Sequence, residues 1–384
     1  MTVRAVFIAT GLSTGGAEMM LLKLLCHLNR NRFEPLVISL ADRGDIGARI
    51  EALGIPVECL GMRPNVVSPF RFLRLVRRLR ELQPGLVHTW MYHADLLGGL
   101  AARLAGIRAI GWGIRHSNLD PALNKRTTLW VVAICALMSS WLPRRILSCS
   151  EKARSEHVAA GYASDKMVVV PNGFDLTRFK PDPAARESVR AELGVGSPTL
   201  LVGLIARHHP QKNFEGFIEA AAAVSRQRAD VHFLLAGSGV DSGNVALQAA
   251  IRSTPAADRF HLLGRRDDVP RLMASLDVLA SSSRGEAFPN VVGEAMACGV
   301  PCVVTDAGDA AEIVGDTGRI VPAGDVKELA RELLAVLDLP QLERRALGIM
   351  ARERVREKYA IEQVVRQYEA FYVSLIDRAD TCVE

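Results

Sequence analysis

The 384-residue sequence is short of several things, and each shortage removes a class of protein. Aromatic residues make up only 5% of it, too few for a dedicated surface on which single-stranded nucleic acid could stack. No DNA- or RNA-binding motif is present either, so nucleic acid is not an expected partner. The seven cysteines (26, 59, 135, 149, 298, 302 and 382) form no Cys-x-x-Cys pair. An odd number, set mostly in apolar runs, fits reduced core thiols of a cytosolic protein better than a disulfide framework. There is no Asp-x-Asp, no His-Glu-x-x-His and no Cys/His cluster at ligand spacing, so no cofactor and no essential protein-bound metal are expected. The apolar run at 129–138 has ten residues, against the ~20 needed to span a bilayer. The start, Met1-Thr2-Val3-Arg4, leads straight into a strand and does not read as a secretory signal. No internal repeat or low-complexity segment appears.

What is present is concentrated between residues 276 and 305. The run 276–281 (LDVLAS) has a strand's length, and 302–305 (CVVT) is β-branched and strand-like. Between them, 290–298 is rich in helix formers and is stopped by Gly299 and Pro301. The unit reads strand, loop, helix, strand, with Glu286 in the loop and Glu294 in the first turns of the helix. Both carboxylates are therefore expected at the carboxyl end of a parallel sheet, where α/β proteins bind ligands. The N–H groups at the helix start suit an anion such as a phosphate, and a carboxylate beside a phosphate suits sugar hydroxyls.

Around this unit, strands and helices alternate, which predicts doubly wound parallel sheets. Val3 to Ala9 reads as a strand buried on both faces. Further strands are expected at 35–40, 57–60, 85–88, 108–111, 146–148 and 167–170, and the second half opens with one at 199–205. The length calls for two domains. The predicted division is 1–178, 179–359 and a final helical segment 360–384, with 179–192, rich in Pro, Asp and Arg, as the connection. After the strand at 199–205, Arg207 and Lys212 lie in the loop at its carboxyl end. Two such cations can clamp a diphosphate, one as a fork and one as a point charge.

Residues 284–301 resemble the Glu-x7-Glu signature of the retaining glycosyltransferases of the group 1 type, which have the GT-B fold. Two glutamates stand eight apart, Phe-Pro-Asn follows the first, and Gly-Val-Pro closes the helix. The resemblance extends over nearly the whole chain and has a bacterial polysaccharide-biosynthesis character. It implies two facing Rossmann-like domains with a deep interdomain cleft, an acceptor-binding first domain and a donor-binding second one. The final helix would cross back to the first domain. In the first loop, Gly15-Gly16-Ala17-Glu18 matches the family's glycine turn, with Gly16 beneath the donor's phosphates and sugar. His116 occupies the place of a histidine that the family keeps near the reacting sugar. Arg207 and Lys212 fall on the diphosphate site. Gly237 opens the second glycine loop, and Gly264 ends a strand whose backbone meets the base. Glu286, with Ala287, Phe288, Pro289, Asn290 and Val291, would contact the transferred sugar and phosphates, and Glu294 the ribose.

The implied reaction moves a sugar from a UDP- or GDP-sugar to an acceptor hydroxyl with retention, His116, Arg207, Lys212 and Glu286 being its catalytic group. Two other readings share these features: a nucleotide-sugar 2-epimerase on the same fold, and a non-catalytic, membrane-attached nucleotide-sugar-binding subunit. Charge bears on the acceptor. Residues 1–175 carry 22 Lys and Arg against 13 Asp and Glu, a net of +9, and the remainder carries 25 against 29, a net of −4. A basic first half suits an anionic membrane or a phosphorylated acceptor. Residues 70–82 place five arginines among apolar residues, as in a basic amphipathic helix showing Phe70, Leu73 and Val76. Residues 129–138 form either a buried or an interfacial helix. The expected setting is cytoplasmic, peripheral to the inner membrane face, with a lipid-linked or saccharide acceptor.

Overall fold

The computed structural model describes residues 2–377 apart from 63–67, 122–123 and 197. Cys382 and the rest of 378–384 lie outside the described residues. The chain divides into two compact units, Met1–Gly173 with Ile361–Glu384, and Phe174–Ala360.

The first unit runs β1 (Val3–Ala9), α1 (Gly16–His27), β2 (Phe33–Ser39), α2 (Gly44–Glu51), β3 (Val57–Cys59), α3 (Pro69–Leu82) and β4 (Leu86–Trp90). It continues through α4 (Tyr92–Leu104), β5 (Ile110–Ile114), α5 (Arg126–Met138), β6 (Arg145–Ser148), α6 (Glu151–Ala159) and β7 (Met167–Val169). The strands form one parallel sheet in the order β3-β2-β1-β4-β5-β6-β7. Ala5, Val6, Phe7 and Ile8 of β1 are fully buried. A run that is apolar on both faces is what a central strand covered by helices on both sides requires.

The second unit holds α7 (Pro183–Leu193), β8 (Leu200–Ile205), α8 (Phe214–Gln227), β9 (Val231–Ala236), α9 (Val245–Arg252), β10 (Phe260–Leu262) and α10 (Val269–Ser275). Then come β11 (Val278–Ser281), α11 (Asn290–Ala297), β12 (Cys302–Thr305), α12 (Ala310–Val314), β13 (Arg319–Val321), α13 (Val326–Leu337) and α14 (Gln341–Tyr359). Its parallel sheet has the order β10-β9-β8-β11-β12-β13. The chain enters this unit at Phe174 and leaves at Ala360. These two residues are bridged, with the Phe174 N–H donated to the Tyr359 carbonyl at 2.8 Å.

The last helix, α15 (Ile361–Ile376), belongs to the first unit. Tyr368, Phe371, Tyr372 and Leu375 are buried in its core. Glu369 accepts the Asn29 N–H at 3.0 Å and pairs with Arg32 at 3.3 Å. Arg115 is an anchor for this helix. It is buried, its guanidinium lies 4.0 Å over the Trp90 ring, and it donates to Asn172 and to the Tyr368 hydroxyl.

Two stretches differ from expectation, and a third, α5, divides between a buried and an outward face. Residues 179–192 are not a linker, because most of them form α7. Asp182 caps it by accepting the Ala185 N–H at 2.9 Å, Pro183 starts it, and Gly194 ends it in the left-handed conformation. Arg186 and Arg190 then tie α7 to Asp277 at 2.7 and 2.5 Å. In α3, Val76 is buried rather than displayed, whereas Phe70 and Leu73 are exposed. In α5, Val132, Cys135 and Ala136 face the core, but Trp130, Ile134 and Leu137 face outward. The six described cysteines form no disulfide with one another; four are buried, Cys59 is half-buried and Cys26 is exposed. Among the described residues no helix is long and apolar enough to cross a membrane.

Candidate active site

In both sheets the chain winds outward in one direction and then restarts beside the first strand. This creates a topological switch point between β8 and β11 in the second unit and between β1 and β4 in the first. Loops that leave adjacent strands in opposite directions open a crevice at the strands' carboxyl ends, where open α/β sheets take ligands.

The second unit gathers its predicted residues on that edge. Arg207 and Lys212 follow β8, Gly237 follows β9, Gly264 follows β10, and Glu286 to Val291 follow β11 and start α11. Glu294 is half-buried on the fifth residue of α11. Backbone hydrogen bonds lock the loops to one another. The Gly237 N–H is donated to the Gly264 carbonyl at 2.8 Å, and the His208 N–H to the Ser238 carbonyl at 2.8 Å. Across the switch point, the Arg284 N–H reaches the Gln211 carbonyl at 2.7 Å. The Ser282 hydroxyl donates to the Lys212 carbonyl at 2.8 Å.

This frame places Lys212 against Glu286. The Lys212 ammonium donates to Glu286 Oε1, with side-chain exposures of 20% and 12%. The Ser283 hydroxyl donates to the same Oε1 at 2.7 Å. An ammonium has three donors, so one ion pair leaves capacity for a further anion. Arg207 is exposed beside it and, among the described residues, carries no ion pair. His209 lies on the same loop, and its pKa is lowered, first by burial and then by the Arg207 and Lys212 cations.

The Glu286 loop is also supported from below, by residues that sequence reasoning left out. Thr305 donates through its hydroxyl to the Ser283 carbonyl at 2.6 Å. Gly308 has a φ of +62°, and a Cβ there would lie 2.5 Å from the Glu286 carbonyl oxygen. The next residue, Asp309, donates its N–H to the Ala287 carbonyl at 3.1 Å. Phe288 is buried and stacked on Phe174 at 6.2 Å, and Tyr359 meets it edge-on at 5.8 Å. Gly293 lets α11 approach Phe174, since a Cβ there would come within 2.1 Å of the ring.

The first unit's candidates lie on its own carboxyl edge. Gly15 precedes α1 with extended backbone and its carbonyl accepts the Met19 N–H at 2.9 Å; Gly16 is the helix's first residue. Burial raises the pKa of Glu18 in that first turn. His116 follows β5 and is half-buried, its carbonyl receiving the Tyr92 hydroxyl at 3.5 Å. His93 is half-buried with a pKa lowered by burial. Near it, burial pushes the carboxyl of Asp95 up to about 8, against hydrogen bonds from Thr89 and Gly113.

Two Rossmann-like domains, with cations and carboxylates collected at the second domain's switch point, are the GT-B architecture of glycosyltransferases. Residues 199–338 match the family model described as "Glycosyl transferases group 1", and residues 14–178 match "Glycosyltransferase Family 4". The chain belongs to the group 1 glycosyltransferases. The D-inositol 3-phosphate glycosyltransferase of Segniliparus rotundus is 30% identical over 322 residues, 76% of this chain and 71% of that protein. The UDP-Gal:alpha-D-GlcNAc-diphosphoundecaprenol alpha-1,3-galactosyltransferase of Escherichia coli is 23% identical over 336 residues, 85% of this chain and 84% of that protein. Among solved structures, Anabaena Alr3699/HepE in complex with UDP superimposes with a TM-score of 0.84 at 26% identity, covering 97% of this chain and 100% of that one.

Proposed function

We propose that the protein transfers a sugar from a UDP- or GDP-sugar to an acceptor hydroxyl with retention of anomeric configuration, Glu286 and Glu294 forming a Glu-x7-Glu pair. The observation that carries this reading is the Lys212–Glu286 pair at the β8/β11 switch point, with Arg207 beside it. As the glycosidic bond breaks, negative charge grows on the departing nucleoside diphosphate. Arg207 and Lys212 meet that charge most strongly in the transition state, which is what accelerates a reaction. The first N–H groups of α11 add to the same field. Glu286, steadied by Ser283, accepts from hydroxyls of the transferred sugar, and Glu294 accepts from the ribose. The leaving phosphate takes the acceptor's proton on the face from which it departs, so no protein carboxylate is needed as a covalent nucleophile. No protein-bound metal is part of this scheme. The proposed roles of Gly15, Gly16 and His116 rest on the family resemblance alone.

The acceptor in this reading is a lipid-linked or saccharide hydroxyl in envelope or exopolysaccharide assembly, reached from the cytoplasmic face of a membrane. The name of the Escherichia coli relative, with its diphosphoundecaprenol-linked acceptor, supports that class. The test is a panel of UDP-, GDP- and ADP-sugars with and without a polyprenyl-diphosphate-linked sugar, read by product mass. Acceptor-dependent gain of one sugar is expected. A donor altered at C2 without acceptor would identify an epimerase instead, and binding without turnover would identify a binding subunit.

A further inference from the structure

Helix α5 (RTTLWVVAICALM) is apolar all round, and such a helix belongs in a core or in lipid. Only one side is in the core. Val132, Cys135 and Ala136 are buried, while Trp130 is 72% exposed, Ile134 40%, Leu137 79% and the following Trp141 52%. Positions 130, 134 and 137 follow helical spacing, so they form one stripe, and exposed Trp141 follows in the turn after the helix. Exposed Arg126, four residues before Trp130, continues the stripe at its amino end. Monomeric soluble proteins scatter their exposed apolar residues; a contiguous set marks a covered surface.

The charge around the stripe says what covers it. Lys125 and Arg126 are exposed at its amino end, and residues 121–150 contain no Asp or Glu. Tryptophan beside Lys and Arg at the rim of an apolar face is the composition of helices lying in a lipid headgroup layer. A neighbouring helix adds to it: α3 packs beside α4, and α4 beside α5. On α3, Phe70 is 85% and Leu73 61% exposed, with Arg74 exposed alongside. The other α3 arginines are largely engaged. Arg77 pairs with Glu81, Arg78 with Glu58, and Arg80 donates to the Leu104 carbonyl. The primary contact is therefore the α5 stripe, with the amino end of α3 as its flank.

We infer that the first unit docks on an anionic lipid bilayer through the outward face of α5, with Trp130, Ile134, Leu137 and Trp141 entering the headgroup layer and Lys125 and Arg126 meeting lipid phosphates. The inference rests on the reading of the acceptor as membrane-borne for its purpose, and on the residues of the face itself for its location.

The full chain is incubated with phosphatidylcholine vesicles and with vesicles of equal parts phosphatidylcholine and phosphatidylglycerol. It is expected to co-sediment with the anionic vesicles and to be released by salt. Leu137→Glu with Trp141→Ser is expected to lower partitioning by at least about tenfold while transfer to a water-soluble acceptor is retained. The four tryptophans supply a second readout, because Trp90 and Trp112 are buried at 1% and 0% exposure. Brominated lipid is expected to quench the wild type but not Trp130→Phe/Trp141→Phe. Partitioning of the double variant equal to wild type, or quenching that survives loss of Trp130 and Trp141, overturns the inference. So does a dimer that the Leu137→Glu change dissociates without any vesicle binding, since a second copy would then cover the face. Vesicle binding with no transfer to any acceptor would leave the docking surface standing and defeat the proposed reaction instead.

Discussion

Replacing Gly308 by alanine probes how the second sheet holds its central glutamate. Gly308 has a φ of +62°, a conformation that costs an L-residue roughly 1–2 kcal/mol. The new Cβ would lie 2.5 Å from the Glu286 carbonyl oxygen and 2.6 Å from that of Ala287. Both are backbone atoms, so no side chain can swing aside. An ordinary carbon–oxygen contact starts near ~3.4 Å, so the Glu286–Ala287 segment must retreat by something under about 1 Å. Displacements of that order near the reacting atoms cost up to about 100-fold in rate. Gly308→Ala is thus expected to lower kcat/KM for the donor by about 10- to 100-fold and unit stability by about 1–3 kcal/mol. Gly324→Ala is the control: its φ is +86° but nothing lies within 4 Å of the added Cβ. It is expected to lose stability alone. Urea unfolding and steady-state kinetics with varied donor measure both. If Gly308→Ala behaved like Gly324→Ala, losing stability with kcat/KM intact, Gly308 would not position Glu286.

Other expectations follow from the same geometry. Arg207→Ala and Lys212→Ala are each expected to reduce kcat more than they raise the donor KM, because the charge they meet is greatest in the transition state; an effect on KM alone would remove them from the leaving group. Glu294→Ala is expected to weaken nucleoside diphosphate binding by about 1.5–3 kcal/mol in titration calorimetry with the fold unchanged; unaltered affinity would take Glu294 off the ribose. Asp95 holds its proton up to about pH 8 when folded, but a free aspartate loses it near ~4. Within that window the folded state binds the extra proton, so stability falls as pH rises. Asp95→Asn is expected to flatten the decline between pH 5 and pH 8, and superimposable pH profiles from chemical denaturation would contradict the assignment.

The sequence was legible where periodicity and chemistry agree. Val3–Ala9 and Cys302–Thr305 are strands at the bounds read from their apolar and β-branched runs. The loop and helix placement of Glu286 and Glu294 followed from Gly299 and Pro301 stopping the helix. It was less legible where one residue type serves two ends. Proline and aspartate at 181–183 read as a linker, yet they are also what starts α7. A helix apolar on every side carries no periodic signal, so α5 gave no indication of which face meets solvent. The edge strand Arg319–Val321 has three residues, two of them exposed, and left no strand pattern. Gly308 and Ser283 act through neighbours in space, and no linear motif reports that the 308 backbone lies under the carbonyl of Glu286.

The most direct test of the central claim, retaining glycosyl transfer at the β8/β11 switch point, is the anomeric configuration of the product. The protein is supplied with an α-linked nucleotide-sugar and the acceptor that the donor panel identifies, and the new linkage is read by NMR. The account predicts an α-linked product, formed by the wild type and lost together with turnover in Arg207→Ala/Lys212→Ala. A β-linked product, or an α-linked one made equally well by that double variant, would contradict it.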